Sequence, residues 1–373
     1  MFHSAFTLAL ALISFFSVPD PYSVKGIIRD KESNEPIPFA HVVIDDVINI
    51  SNIDGEFIIS IADLESEDAQ IEISYMGYDS YSKSVQDIEG YHTIFLQPSI
   101  TTLDEVVVRT GPFIMEKVFN RFHINYSMER QHMVGFYKES MSNWKEFYYV
   151  AEGIMDIYSP SNIDKLQYPL VRPLRTRKKV FKELDIINDV LGGNASDMAH
   201  SSIWRTDSFL STKNRKDYDY FYSGATSIGS KEVIIVEFEP RKNSKGNTKG
   251  KLYIDEESLA IIKIEYFPVI DDWSHWESVS WVEEYEKKNG LYEMISVSFT
   301  GTSTNHEFDY NALLVINESK AIDEFPEDIY LLTQHDSFFE EAQDNFSDTF
   351  WEGFNFMKLG TKASANLEDT NRN

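Results

Sequence analysis

Short runs of alternating apolar and polar residues, broken by turn chemistry, fill the first hundred positions. Five runs carry the pattern, at 24–29, 40–44, 55–61, 70–75 and 92–96. Ile71, Ile73 and Tyr75 set against Glu72 and Ser74 show the period of two that a half-buried strand requires. Breaks fall at Asn34-Glu35-Pro36, Asp54-Gly55, Gly77 and Gly90. Asp54-Gly55 suits a tight structural turn, because glycine adopts positive φ freely and aspartate tolerates it better than most residues. The spacing predicts a small antiparallel β-sandwich over residues 22–98.

After Gly111-Pro112 the texture changes. Met115, Phe119, Phe122 and Tyr126 recur at i, i+4, i+7 and i+11, one face of a helix with proline at its start. A second helix is expected over 180–191, stopped by Gly192-Gly193. Strands are expected at 133–141, 146–158, 232–239, 251–267 with a turn at 255–258, 276–286 and 291–300. Asn289-Gly290 between the last two is a strong hairpin signal. The picture is mainly β, with a linker at 99–112, a second β-rich domain at 113–358 and a disordered polar tail at 359–373.

Composition narrows the function classes. Lys and Arg total 34 against 61 Asp and Glu, a formal charge of -27, which disfavours nucleic acid as a partner. There is no cysteine, so disulfides, zinc-thiolate sites and thiol nucleophiles are excluded. Residues 6–18 (FTLALALISFFSV) form an apolar run shorter than the roughly 20 residues needed to span a bilayer. Polar sequence starts at Pro19-Asp20-Pro21, so residues 1–20 read as an export signal.

Five ordered motifs then bring in a family. Residues 24–30 (VKGIIRD), 36–42 (PIPFAHV), 52–57 (NIDGEF) and 71–78 (IEISYMGY) resemble carboxypeptidase-regulatory-like domains, and 103–108 (LDEVVV) resembles the segment that commonly follows them in Bacteroidetes envelope proteins. The resemblance implies a transthyretin-like, seven-stranded antiparallel sandwich acting as an accessory module, not as the catalytic part of a peptidase. In many relatives the last motif leads into the plug of a TonB-dependent receptor, but 373 residues are too few for plug and barrel. Residues 250–255 (GKLYID) and 261–266 (IIKIEY) are similar to the central hairpin of lipoprotein-carrier half-barrels. The second domain is therefore expected to be a curved antiparallel sheet or half-barrel with a few helices. Residues 136–139 (FYKE) and 350–352 (FWE) are similar to positions in an uncharacterised domain that often follows the regulatory module.

The chain carries none of the common catalytic motifs. Zinc carboxypeptidases need His-x-x-Glu, and none of the nine histidines has Glu at that spacing. H-E-x-x-H, G-x-S-x-G, Walker and G-x-G-x-x-G patterns are missing too, so no catalytic residue, metal, nucleotide or other cofactor is expected. A calcium loop from Asp45, Asp46, Asn52 and Asp54 lacks the required spacing. One binding candidate is Asp271, Asp272, Trp273, His275, Trp276 and Glu277, where tryptophans beside carboxylates could meet a sugar. The other is a basic concentration, Arg172, Arg175, Arg177, Lys178, Lys179 and Lys182, which could meet anionic headgroups or balance nearby acids.

The expectation is a non-enzymatic periplasmic or outer-membrane-associated binding or assembly protein, its partner another envelope protein or outer-membrane component. Two alternatives stand beside it: a carrier of a lipid or other apolar ligand in the half-barrel, and a carbohydrate-binding or carbohydrate-active protein using 271–277.

Overall fold

The computed structural model describes residues 22–45, 47–52, 54–61, 69–88, 90–99, 110–143, 146–161, 168–182, 194–270, 276–304, 307–327, 331–333 and 336–343. The expected export signal, the tail, most of the linker and Asp271–His275 lie outside these residues.

Seven strands come first: β1 (Tyr22–Asp30), β2 (His41–Ile44), β3 (Val47–Ile50), β4 (Glu56–Ile61), β5 (Gln70–Ser74), β6 (Tyr81–Ser84) and β7 (Tyr91–Leu96). They form two sheets, ordered β4-β1-β7 and β3-β2-β5-β6. Strand alternation sends Val24 and Ile28, Val42 and Ile44, and Ile71 and Ile73 into one shared core. The strand count matches the expectation, but the all-antiparallel pairing does not. β1 runs parallel to β7, with Lys25 opposite Tyr91 and Asp30 opposite Leu96. The chain builds β5 and β6 on the other sheet before β7, and such a crossover returns a strand in the parallel sense.

The Asp54-Gly55 turn is structural. Gly55 sits at φ +75°, and a Cβ there would stand 2.5 Å from the Ile28 carbonyl oxygen. Asn52, only 1% exposed, organises the loop: its Oδ1 accepts from the N–H groups of Asp54 (2.9 Å) and Glu56 (2.8 Å).

Helix α1 (Gly111–Asn125) opens with Pro112, as its sequence predicts. Ten strands then form one open sheet: β8 (Gln131–Ser142), β9 (Phe147–Ser159), β10 (Leu170–Val180), β11 (Tyr218–Ile228), β12 (Lys231–Pro240), β13 (Thr248–Asp255), β14 (Ile261–Pro268), β15 (Trp276–Lys288), β16 (Leu291–Ser303) and β17 (Asp309–Ala321). Their order is β10-β9-β8-β17-β16-β15-β14-β13-β12-β11, antiparallel at every step, with β10 and β11 as the outermost strands; Leu332 bridges Val171 of β10, and Ser227 of β11 accepts from Gly77 N–H. Two short helices, α2 (Ala195–Met198) and α3 (Phe338–Glu341), complete the described α-helices, and single 3-10 turns lie at Val85–Asp87 and Arg215–Asp217. Val180, expected to open a helix, instead closes β10, and residues 183–191 of that expected helix lie outside the described set.

The sheet is curved, and α1 lies in its concave side. Ile114, Met115 and Val118 are buried there, each worth about 1.5–3 kcal/mol of apolar burial. Phe119 packs edge-on against Tyr220 of β11, and the Tyr126 hydroxyl donates to the Ile261 carbonyl of β14 (2.7 Å). Gly111 lets the helix start touch the edge strand, since a Cβ there would come within 2.3 Å of the Tyr220 carbonyl oxygen.

Candidate functional site

The sandwich sits on the convex back of the large sheet. Ile50 and Phe39 pack against Leu313 and Val315 of β17. Backbone bonds tie the other end, from Gly77 N–H to the Ser227 carbonyl (2.8 Å) and from Gly229 N–H to the Tyr78 carbonyl (3.0 Å). Between sandwich and sheet lies a cleft of about 250 Å³, walled by β2 and β5 on one side and by β14 and β15 on the other.

Strand geometry decides which side chains enter it. Along β15, Glu283 and Tyr285 point to the concave core, so Glu284 and Glu286 point to the convex back. Lys263 of β14 is paired in register with Glu284. Two bulges flank this position, with Ile262 the extra residue on β14 and Ile295 the extra residue on β16. Bulges re-aim neighbouring side chains, and here they surround the charged floor of the cleft.

The floor is an ionic network. His41 Nε2 lies 3.2 Å from Glu284 Oε2, which also accepts from the Ser296 hydroxyl (2.9 Å). Lys263 Nζ stands 3.0 Å from Glu265 and 3.8 Å from Glu284, and the Tyr253 hydroxyl donates to Glu265 (3.0 Å). Burial works against charge on Glu284, yet His41 and Lys263 outweigh it and hold its carboxyl at about 2. Burial likewise opposes the His41 imidazolium, and Glu284 overcomes it, so His41 is raised above its ordinary value. Glu286 differs: its Oε2 is buried with no hydrogen-bond partner among the described residues.

This is a constellation for binding charge. Glu284 is fixed as a carboxylate by its cations, and its neighbours lie in ion pairs. Among the described residues no group of three or more His, Asp or Glu could hold a metal ion.

Residues 24–108 match the family model described as CarboxypepD_reg-like domain. The N-terminal sandwich is a CarboxypepD_reg-like domain. The curated proteins contain no significant match to the chain. Among solved structures, a LolA superfamily protein from Nitrosomonas europaea shares 12% identity over 59% of this chain and 96% of its own, at a TM-score of 0.30. A DUF1329 family protein from Desulfovibrio piger shares 10% identity over 57% and 92%, at 0.28. The Pseudomonas aeruginosa MucA/MucB complex gives 10% identity over 56% and 98%, at 0.18. At such scores these likenesses decide nothing about a ligand or partner of this chain.

The regulatory-like domain supplies His41 and Tyr75 to the cleft, positions that its sequence did not single out. Lys263, Glu284 and Glu286 were missed for a plain reason. Charged residues alternating with apolar ones in a strand ordinarily mark a solvated face, and only the domain packed above turns this face into a wall.

Of the residues singled out in sequence, the described ones do not line this cleft. Trp276 is not a surface platform for a sugar: it is 8% exposed, lies 2.6 Å from where a Cβ of Gly301 would be, and packs edge-on against Phe299 and Phe308. Its neighbour Glu277 is exposed, the extra residue of an irregularity in the pairing between Trp276 and Ser278. Asp271, Asp272, Trp273 and His275 lie outside the described residues.

The basic residues gather on and just beyond β10 and are mostly engaged with the fold. Arg172 bonds Asp156 (Nε–Oδ2 2.9 Å), Arg177 pairs with the buried Glu152, and Lys182 reaches Glu146 at 3.2 Å. Lys178 donates to the Phe339 carbonyl (2.8 Å) and lies over that ring. Lys179 lies 5.7 Å from the Phe181 ring, and Arg175 is exposed.

The concave face, where an apolar ligand would sit, is covered by α1 and by residues 194–217. Phe209 stacks on Phe238 at 4.3 Å, and Met198, Ile203 and Leu210 join the same core. Glu283, 1% exposed, anchors this segment: it accepts from Ser202 N–H (2.9 Å), Ser202 Oγ (2.5 Å) and the hydroxyls of Tyr266 and Tyr285.

Proposed function

We propose that this is a non-enzymatic, exported binding or assembly protein of the cell envelope, and that it meets its ligand or partner at the cleft between the regulatory-like domain and the back of the large sheet. The observation that carries the reading is the cleft itself. It is a concave junction of two separately cored units, lined by charged groups held out of bulk water, and such junctions are preferred places for ligands. In this reading the domain layout is a sandwich at 22–98 set on a second unit from residue 113.

Fractionation of cells producing the full chain tests the envelope assignment: recovery with periplasmic or washed-membrane material is expected, and retention in the cytosol would sink it. A bulky label at Ser80, which lines the cleft and is exposed, is expected to reduce partner or ligand binding, whereas one at exposed Lys213 is not.

A second reading, a carrier of an apolar ligand, draws on the apolar lining of the concave face. It requires residues 194–217 to leave, and native mass spectrometry of gently purified protein would show the passenger.

A further inference from the structure

The convex back of β15 carries two carboxylates two residues apart, and their surroundings differ. Glu284 is enclosed by His41, Ser296 and Lys263. Glu286 lines the same cleft, and its Oε2 is shut away from solvent without a donor. Buried polar atoms nearly always have partners, so an orphan carboxylate oxygen in a cleft wall marks the place of a donor that the described residues do not supply.

The cations around it are otherwise engaged. Lys263 is held by Glu265 and Glu284, and the Lys287 ammonium lies 5.9 Å from the centre of the Tyr292 ring. Tyr75 and Tyr292 both line the cleft, and tyrosine faces attract cations. An anion would be poorly received, because the central cation already faces two carboxylates. The volume, about 250 Å³, suits one side-chain-sized group rather than an extended ligand. The formal charge of -27 raises the local concentration of cations around the whole molecule.

We infer that the cleft takes an organic cation, a guanidinium or primary ammonium group, with the Glu286 carboxylate as its hydrogen-bonding partner. The inference rests on the cleft being the binding site proposed above. The group could belong to a free small amine or to an arginine or lysine side chain of a protein partner.

Calorimetric titration of the full chain distinguishes these sources, using agmatine as the free amine, acetyl-Gly-Arg-Gly-amide as the side chain and inorganic phosphate as the anionic probe. At about 150 mM salt, where diffuse attraction is screened, saturable one-to-one binding of a cationic probe is expected. Glu286→Gln is expected to weaken it about tenfold or more, the scale of a hydrogen bond to a charged group, with an unchanged melting temperature showing that the fold persists. Lys287→Gln is expected to leave binding unchanged or tighten it. Tighter agmatine binding identifies a small-molecule ligand, and tighter peptide binding identifies a partner's side chain. Cation binding that ignores Glu286→Gln overturns the inference. Phosphate binding without cation binding also overturns it, while leaving the cleft as a binding site. Silence from all three probes overturns the inference and removes this support for the cleft.

Discussion

His41 and Glu284 stand 243 residues apart in the chain and 3.2 Å apart in space. This contact is an ion pair between the regulatory-like domain and the large sheet, and it makes the junction sensitive to pH. His41 is raised above its ordinary 6.5, so its contribution is complete below about 6.5 and is lost as pH climbs through the raised value. Glu284 is lowered from 4.5 to about 2, so its contribution is complete above about 4.5 and is lost as pH falls toward 2. The pair stabilises most between these limits. His41→Gln is expected to cost roughly 1–3 kcal/mol there and less at alkaline pH. Melting curves of both proteins from pH 4 to 9 check this, and a pH-independent difference would refute it.

Glu139 gives a slope of its own. It is 4% exposed, and burial pushes its carboxyl up to about 7 despite donation from the Tyr137 and Tyr310 hydroxyls and the Phe339 N–H. A raised carboxyl stabilises fully below its unfolded value of about 4.5 and loses that contribution as pH rises through 7. Glu139→Gln is expected to lose less stability than the parent between pH 5 and 8, measured by urea unfolding at both values. Equal losses would sink the assignment.

How much of this was legible in the chain differs from element to element. The β15–β16 hairpin was, because Asn289 and Gly290 both adopt the positive φ that a two-residue turn demands. Helix α1 was legible from Pro112 and its apolar stripe. Strand β17 was not: from Ala312 to Ile316 it is buried on both faces, so it reads as a continuous apolar run without alternation. Strand β10 was hidden because its arginines and lysines read as a surface patch, when Asp156 and Glu152 on β9 stand ready to pair with them. The cleft was illegible for a deeper reason. Its walls come from strands more than 180 residues apart, and no local pattern encodes which solvated face a second unit will cover.

Glu283 predicts a large and localised effect. Glu283→Ala would leave Ser202 and the hydroxyls of Tyr266 and Tyr285 without their shared acceptor, at a cost of roughly 3–5 kcal/mol. Hydrogen exchange is expected to rise first in residues 194–217. Glu283→Gln, which keeps an acceptor oxygen, is expected to lose less. Unchanged protection of that segment in the alanine variant would show that apolar packing alone secures it.

Gly250 tests the close pairing of β13 and β14. A Cβ there would lie 2.0 Å from the Glu265 carbonyl oxygen, so Gly250→Ala must shift backbone rather than a flexible side chain. A loss of about 2 kcal/mol or more is expected, the scale of overpacked sites. Thermal unfolding checks it, and a wild-type melting temperature would contradict the tight strand approach.

The order of the large sheet also dictates how it assembles. Strands β8–β10 and β11–β17 are two meanders, each zipped by contacts between sequence neighbours, and they meet where β8 pairs with β17 across the chain's longest span within the sheet. Local hairpins close quickly, while the seam must pay the entropy of ordering a long intervening loop. Until it closes, the apolar β17 is an unpaired edge, open to the wrong neighbour. The step with the greatest loop-closure cost is therefore the meeting of residues 131–142 with 309–321, whereas the regulatory-like domain, which seats Ile50 on Leu313 and Val315, rests on the β11–β17 meander.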